Sequence, residues 1–190
     1  MDFGRIVDLL FEVGMLQRTP RTGYRFLGSG GQSVAEHLFR TALIGYCLAK
    51  LQGADGAKVV LMCLVHDLAE SRTGDQNYVY KRYVEVKEEE ALRDMLEGTP
   101  FGEFLELVKE FNEGKTLEAQ ISRDADQLDL ILELKEQKDL GNPYAEEWLR
   151  YALKRIRTPS GKKLSQAIMN RQFCDWWFRR EDEDWWVRGR

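Results

Sequence analysis

The sequence predicts an all-α protein, a single domain built as a bundle of about seven or eight helices. Three observations support this fold class. Apolar residues recur at three- and four-residue intervals along much of the chain, good N-cap residues precede several of these segments, and no segment shows the alternation of a strand. The 190 residues are enough for one domain with a sizeable core.

Periodicity and capping residues predict helices in order along the chain. We expect them at about residues 2–16, 34–52, from Asp55 to His66-Asp67, 78–97, from Thr99-Pro100, 116–140, from Asn142-Pro143 and from Thr158-Pro159. The first helix is predicted by the spacing of its apolar residues. The second begins at a capping box formed by Ser33 and Glu36. An N-cap threonine or asparagine followed by proline predicts the starts at residues 99, 142 and 158.

Two segments carry further expectations. The helix over residues 116–140 is expected to bury one face, made by Leu117, Ile121, Leu128, Ile131, Leu132 and Leu134. Residues 17–32 are rich in glycine and contain Pro20, so they are predicted to form a long loop. Loops of this length in compact domains tend to be functional, and this one carries Arg18, Arg21 and Arg25.

Composition excludes several classes of protein. The chain holds 28 Lys and Arg against 32 Asp and Glu, a net charge of −4, which argues against nucleic-acid and membrane-surface partners. Its three widely spaced cysteines predict neither a disulfide framework nor a thiolate zinc site. There is no signal-peptide pattern and no apolar run of about 20 residues. We therefore expect a reducing, cytoplasmic location.

The stretch LVHDLAESRTGD, residues 64–75, places polar side chains at the edge of a core. His66 and His37 are the only histidines of the chain. A single histidine at such a position is more often a hydrogen-bonded core residue than a ligand. Likewise, Glu70 could pair with Arg72 at a solvated helix end, and Asp75 could cap the next helix. Farther on, Asp124, Asp126 and Asp129 could each cap a terminus or face solvent, and spacing alone does not choose among these alternatives.

Four short segments taken in order, SVAEH, LVHDLAE, TGD and DADQLD, resemble the HD-domain metal-dependent phosphohydrolases, in the branch that contains the 5′-deoxynucleotidases. The resemblance covers about residues 5–170. It implies an all-helical HD domain whose metal ligands are His37, His66, Asp67 and Asp126. Asp126 is chosen over Asp124 because the family pattern is a small residue, Asp, any residue and Leu, and the sequence ADQL fits it.

The resemblance also implies roles for the neighbouring residues. Two imidazoles and two carboxylates suit one divalent transition metal ion, such as Mn, Co, Zn, Ni or Fe, and such an ion lowers the pKa of water that it binds. By the resemblance, Glu70 is the catalytic acid or base, and Asp75 orients the water or a sugar hydroxyl. Arg18 and Arg21 would hold phosphate oxygens, and Tyr24 stands at the aromatic position of the loop.

The expected reaction is hydrolysis of a (deoxy)nucleoside 5′-monophosphate to nucleoside and phosphate. The alternatives are hydrolysis of another phosphoester, such as a triphosphate, an alarmone or a cyclic nucleotide, and an inactive nucleotide-binding module. In the bacterial deoxynucleotidases an aromatic residue follows the loop arginine, whereas here Thr19 does. The stretch RTPRTGY instead matches a sister group. Discrimination between deoxyribose and ribose therefore stays open.

The C-terminal tail lies beyond the resemblance. We expect residues 1–175 to form the phosphohydrolase domain and residues 176–190 to form a charged tail rich in tryptophan. Its aromatic residues are Trp176, Trp177, Trp185 and Trp186, which surround Arg179-Arg180 and the acidic run 181–184. The first two are expected to pack the last helix onto the domain. The last two are expected to dock on a neighbouring copy in a homodimer.

Overall fold

A computed structural model of the chain describes residues 2–177 and 183–189. Its helices are α1 (Phe3–Val13), α2 (Tyr24–Leu27), α3 (Val34–Gln52), α4 (Gly56–Val65), α5 (Glu70–Thr73), α6 (Glu88–Leu96), α7 (Glu103–Glu113), α8 (Leu117–Asp139), α9 (Ala145–Leu153), α10 (Pro159–Met169) and α11 (Glu183–Arg188). Eight of them have nine residues or more, and these two ranges contain no strand. The all-α prediction is confirmed. None of the described helices is both long and apolar enough to cross a membrane.

Helix α8 is the central element of the bundle. It packs against α3, α4, α7, α9 and α10, and Ile121, Leu128 and Ile131 on it are fully buried. A second apolar cluster forms where α1 and α6 meet the first turns of α3 and the end of α4. His37 and His66 lie at those same two places, at the start of α3 and directly after α4. The polar site is therefore held between two packed clusters.

Four predicted helix starts are confirmed, each at a residue whose side chain caps the helix. Ser33 and Glu36 form both hydrogen bonds of a capping box at the start of α3. Asp55 accepts from two free amides of α4, at 3.0 and 3.1 Å. Thr116 caps α8 and Thr158 caps α10, the latter with proline at the first helical position. Each cap satisfies amides that have no partner within the helix, which fixes where these helices begin.

The helix predicted over residues 78–97 is wrong in its first half, because α6 begins only at Glu88. Residues before it form a loop with a single 3₁₀ turn at Tyr80–Arg82. The Asn77 side chain accepts hydrogen bonds from the amides of Val79 and Tyr80, at 2.9 and 3.1 Å. Such a side chain offers the backbone an alternative to helical hydrogen bonds, and the loop that results passes over the polar site.

Two predicted helix starts lie two or three residues too early. They are Thr99-Pro100, where α7 begins at Glu103, and Asn142-Pro143, where α9 begins at Ala145. The Thr99 hydroxyl donates to the carbonyl of Leu96, and the Asn142 amide donates to the carbonyl of Leu27. Each side chain is thus bound to another part of the chain, and the two helices begin after an additional turn.

Three smaller expectations are also corrected. Leu117, predicted on the buried face of α8, is 43% exposed, because it stands at the first position of the helix. Helix α1 ends at Val13 and continues as a 3₁₀ turn to Gln17. The loop over residues 17–32 contains the short helix α2, which ends at Gly28 in a left-handed conformation (φ +78°) that glycine adopts without strain.

The tail differs from its expected packing at Trp176, whose ring is 71% exposed and does not cover the domain. Trp177 contacts the rings of Phe173 and Trp176, with centroids 5.7 and 5.1 Å away. Trp185 and Trp186 lie in α11. The predicted roles of Arg179-Arg180 and of the start of the acidic run fall outside the described residues.

Candidate metal centre and catalytic cavity

The two histidines point one ring nitrogen each into a shared space. Their ring centroids lie 5.7 Å apart. Nδ1 of His66 donates to the carbonyl of Cys63 at 2.9 Å, and Nδ1 of His37 donates to Oδ2 of Asp129 at 2.6 Å. These bonds place a proton on each Nδ1, so each Nε2 is the nitrogen left to bind a metal ion or a further proton. Both Nε2 atoms are buried and have no hydrogen-bond partner among the described residues.

Two carboxylates approach the same nitrogens. Oδ1 of Asp126 lies 3.2 Å from Nε2 of His37. Oδ2 of Asp67 lies 3.3 Å from Nε2 of His66 and 3.7 Å from Nε2 of His37. Ligand atoms of His37, His66 and Asp126 all fall within 4.8 Å of one another. Buried imidazole nitrogens without partners, facing carboxylates, are a donor set that fits a divalent transition metal ion.

The electrostatics of the cluster favour a positive charge at this point. Burial and the Arg21 charge oppose protonation of His37, yet the Asp126 carboxylate 3.2 Å from Nε2 and the hydrogen bond to Asp129 raise its pKa to about 9, so Nε2 takes up a proton when no metal ion is bound. Burial likewise opposes ionisation of Asp126, but His37 holds the pKa of this carboxyl far below its ordinary value. Asp126 is therefore ionised at neutral pH, as a ligand carboxylate must be.

Glu70 is buried beside the cluster rather than exposed at a helix end. It is 6% exposed, and its Oε2 has no hydrogen-bond partner among the described residues. Burial, and then the charges of Asp67 and Asp75, raise the pKa of Glu70 to about 10. The alternative pairing with Arg72 is wrong, since Arg72 binds Glu12 instead. Glu70 thus holds a proton in the cavity at neutral pH.

Asp75 connects the loop over residues 17–32, which we name the arginine loop, to the TGD turn at residues 73–75. Its Oδ2 accepts from the amide and the hydroxyl of Thr22, at 2.6 and 2.7 Å. The Asn77 amide donates to the same hydroxyl at 2.9 Å. The alternative role for Asp75, capping the next helix, is wrong because the residues that follow form a loop. Gly74 has a left-handed φ of +71°, which turns the chain so that Asp75 faces the loop.

Of the predicted substrate-binding residues, the structure brings two to the cavity. Nη1 of Arg21 lies 3.4 Å from Oδ2 of Asp67 and 3.4 Å from Oδ1 of Asp75. Tyr24 is buried and lines the same space. Arg18, in contrast, is exposed at the start of the loop and does not line it. The loop thus presents its second arginine, rather than its first, to the cluster.

These side chains line a cavity of about 190 Å³ that we name the acidic cavity. Its charged lining consists of two cations, Arg21 and Lys81, and five carboxylates, Asp67, Glu70, Asp75, Glu88 and Asp126. Aromatic walls are provided by Tyr24, Tyr78, Phe111 and Trp148. Such an excess of carboxylates beside buried imidazoles suits a metal ion and one retained proton.

Asp129 acts on the metal-ligand candidates, although the sequence predicted no more for it than a capping or solvent-facing role. Asp129 is completely buried, and it accepts hydrogen bonds from both His37 and Arg40. Arg40 also binds Glu133. The signal lay in the spacing, since Asp129 follows Asp126 by three residues and Arg40 follows His37 by three, so that each pair shares one helix face. Asp129 therefore orients the imidazole of His37.

Asp124 has a structural role and does not join the cluster. Its two carboxylate oxygens accept from the amides of Arg157 and Thr158, at 2.9 and 2.8 Å, just before α10 begins. The side chain is 1% exposed. This arrangement agrees with the choice of Asp126 over Asp124 as the ligand candidate.

Comparison with known proteins agrees with this geometry. A family model described as HD domain matches residues 13–168. The chain belongs to the HD domain family. The 5′-deoxynucleotidase HDDC2 of Bos taurus is 31% identical over 144 residues, which are 72% of this chain and 70% of that protein. The same enzyme of Dictyostelium discoideum is 34% identical over 63% of this chain and 70% of that protein.

The HD fold also recurs in a solved structure. The PH0347 protein from Pyrococcus horikoshii OT3 superposes with a TM-score of 0.74 and 29% identity, over 86% of this chain and 98% of that one. The resemblance seen in four short motifs is therefore confirmed at the level of the family and of the fold.

Proposed function

We propose that the protein is a metal-dependent phosphomonoesterase that hydrolyses nucleoside 5′-monophosphates, deoxynucleotides foremost, to nucleoside and phosphate. The observation that carries this proposal is the convergence of two buried imidazole nitrogens with Asp67 and Asp126, beside the buried Glu70, whose Oε2 has no hydrogen-bond partner among the described residues. The relatives named 5′-deoxynucleotidase support the same substrate class.

His37, His66, Asp67 and Asp126 would hold one divalent ion, with Mn, Co, Zn, Ni and Fe as the candidates for this donor set. When bound, the ion supplies a Lewis acid that makes water a stronger nucleophile near neutral pH. Asp129 keeps His37 in the tautomer that leaves its Nε2 free for the ion. The Cys63 carbonyl does the same for His66.

The remaining steps are performed by side chains of the acidic cavity. Arg21 binds the phosphate oxygens, because its guanidinium lines the acidic cavity beside the candidate metal ligand Asp67. Water adds to phosphorus as the bond from phosphorus to the 5′ oxygen breaks. Glu70 delivers its proton to that departing oxygen and regains one from the attacking water, so that nucleoside and hydrogen phosphate leave. Asp75 holds the loop through Thr22, and Tyr24 provides part of the wall against which the sugar packs.

Two further expectations belong to the proposal. Residues 1–175 form the catalytic domain, and residues 176–190 form a tail outside it. Trp185 and Trp186 are each 47% exposed, and large aromatic rings commonly anchor contacts between proteins. We assign this tail a contact with a second copy of the chain, which sedimentation of the full chain and of a chain ending at residue 175 would test.

The function is tested by phosphate release. The protein is stripped with chelator, reloaded with each of the five metals in turn, and supplied with ribo- and deoxynucleoside 5′-monophosphates. We expect phosphate release that depends on added metal and is fastest with deoxynucleotides. Equal release from the stripped protein would overturn the role of the metal. Release from triphosphates or cyclic nucleotides alone would overturn the substrate class.

A further inference from the structure

A second cavity adjoins the acidic cavity on the side of Asp126. Its volume is about 550 Å³. The two cavities share five lining residues, which are Tyr78, Phe111, Asn112, Asp126 and Gln127. The outer part of the second cavity is lined by four cationic side chains, Arg123, Lys154, Arg155 and Arg157. We name it the basic cavity.

Two of the four cationic side chains, Arg155 and Arg123, are held in place by neutral partners. Nη1 of Arg155 donates to Oε1 of Gln127 at 3.2 Å, and its guanidinium lies 4.0 Å from the ring centroid of Tyr78. Nη1 of Arg123 donates to the carbonyl of Asn112 at 2.8 Å. These contacts position both groups at the wall that the two cavities share, yet they leave the positive charges without a counterion.

The positive charge of the basic cavity is not neutralised by the chain. Within residues 2–177 and 183–189, none of its four cations forms an ion pair with a carboxylate, whereas Arg21, Arg40, Arg72, Arg93 and Arg150 each do. The lining contains two carboxylates. Asp126 is shared with the acidic cavity, and Asp124 already accepts hydrogen bonds from two backbone amides. Four cations around one concave space form a site for an anion.

A plain nucleoside monophosphate does not supply that anion. Its one phosphate is the group hydrolysed and lies in the acidic cavity, and the nucleoside that remains is neutral. The acidic cavity, at about 190 Å³, is smaller than the range of roughly 300–1,000 Å³ that ligand pockets span. The rest of the substrate therefore extends past Asp126 and Gln127 into the basic cavity, where the four cations surround it.

We propose that the basic cavity binds a second phosphate group of the substrate, so that the preferred substrates are nucleotides that carry a phosphate besides the one hydrolysed. This inference rests on the proposed function and narrows its substrate class. Guanidinium and ammonium groups bind phosphate oxygens through charge-assisted hydrogen bonds. The second phosphate has three chemical sources, a 3′-phosphate, the phosphodiester of a 5′-phosphorylated dinucleotide, or the other phosphate of a 5′-diphosphate.

The test compares kcat/KM for four substrates that share one base. They are the deoxynucleoside 5′-monophosphate, its 3′,5′-bisphosphate, the 5′-phosphorylated dinucleotide and the 5′-diphosphate. The variant Lys154→Ala/Arg157→Ala removes two cations of the basic cavity. The control Arg150→Ala/Lys163→Ala removes two exposed cations from the same two regions of the chain, outside either cavity.

For at least one of the three substrates that carry a second phosphate group, we expect the wild type to show a kcat/KM about tenfold or more above that of the monophosphate. That ratio should fall about tenfold in Lys154→Ala/Arg157→Ala and stay within about twofold of wild type in the control. The substrate that shows the preference identifies the source of the phosphate. No preference in the wild type, or an equal fall in the control, would overturn the proposal.

A binding measurement separates this inference from the proposed function. Calorimetry in chelator, where no turnover occurs, compares the affinity of the same four nucleotides for the wild type and for Lys154→Ala/Arg157→Ala. If a nucleotide with a second phosphate group binds the wild type more tightly than it binds Lys154→Ala/Arg157→Ala, the anion site is supported, even if no nucleotide is hydrolysed with any metal. If the protein releases phosphate from monophosphates but the wild type and the variant bind all four nucleotides with the same affinity, the proposed function stands and the anion site is rejected.

Discussion

The acidic and basic cavities share a wall but carry opposite charges, and they differ in burial as well. Burial opposes the charged forms of His37, Glu70 and Asp126 on the acidic side; it raises the pKa of Glu70, whereas His37 and Asp126 stabilise each other's charge. On the basic side, Lys154 and Arg157 are exposed. Buried charged groups are costly unless a partner compensates them, whereas exposed cations are hydrated and cost little. We therefore expect the acidic cavity to carry out the hydrolysis and the basic cavity to determine which nucleotides bind.

Substitutions in the two cavities should have different effects on turnover. Changes in the acidic cavity should lower turnover of all substrates by the same factor, because they act on the reacting phosphate. Changes in the basic cavity should alter the ratio between substrates. Every variant below is therefore measured with both the monophosphate and the substrate that the wild type prefers.

The largest effect is expected from the loss of a metal ligand. His66→Ala or Asp126→Ala should abolish metal binding and turnover of both substrates, since each removes one of four donors. Helix content should stay nearly unchanged because the apolar clusters lie elsewhere. Elemental analysis of the purified variants, together with circular dichroism, measures both. A full equivalent of metal in either variant contradicts the ligand assignment.

Glu70→Gln should have the next largest effect. Glutamine keeps the size of the side chain but cannot deliver a proton, so kcat should fall by roughly 10²–10⁴ with metal content and affinity near those of wild type. Both substrates should lose the same factor. If the variant instead loses its metal, Glu70 is a fifth ligand. If it keeps full activity, the proton comes from Asp75 or from solvent.

Much of this contrast could be predicted from the sequence, because the acidic residues sit in short motifs. The stretch that contains His66, Asp67 and Glu70 is local, and the caps at Ser33 and Thr158 depend on neighbouring residues. Local hydrogen bonds of this kind are encoded by adjacent side chains. Most helices therefore follow from a reading of the chain in order, whereas the metal ligands and Glu70 follow from the resemblance of the motifs to the HD-domain phosphohydrolases.

The parts that were missed depend on contacts between distant segments. The Asp129 side chain becomes functional only because α8 lies against α3, which brings it to His37. Arg18 and Arg21 lie in the same loop, and contacts with the distant residues Asp67 and Asp75 hold Arg21 at the cavity. The basic cavity combines residues from α8 with the segment after α9. No local sequence pattern encodes these contacts, because they arise from the packing of distant segments.

The two loop arginines provide the third test. Arg21→Lys keeps the charge but loses the planar fork, so we expect kcat/KM to fall roughly 10- to 100-fold for both substrates. Arg18→Ala should have the smaller effect of the two, because Arg18 is exposed and lies outside the lining. Steady-state kinetics of both variants decides between them. A larger effect at Arg18 would return the phosphate role to the first arginine of the loop.

A fourth test concerns metal affinity. Asp129→Asn should weaken metal binding roughly 10- to 100-fold, because the carboxylate that orients His37 is lost. Asp139→Asn, on the same helix but paired with Lys135, is the matched control and should leave the affinity unchanged. Competition with a chromophoric chelator measures the binding constant directly. Equal affinities for the two variants would mean that the buried Asp129 serves stability alone.

The smallest effect is expected at a chain of hydrogen bonds that runs from Arg155 through Gln127 to Asp126 and joins the two cavities. Arg155 donates to Gln127, and Nε2 of Gln127 donates to Oδ2 of Asp126 at 2.8 Å. Arg155→Ala and Gln127→Ala should each lower kcat/KM for the monophosphate by roughly 2- to 10-fold, because each loses about one hydrogen bond. If the chain acts as a unit, the double variant should be no worse than Gln127→Ala alone. Additive losses would show that the cavities act independently and that only their shared walls connect them.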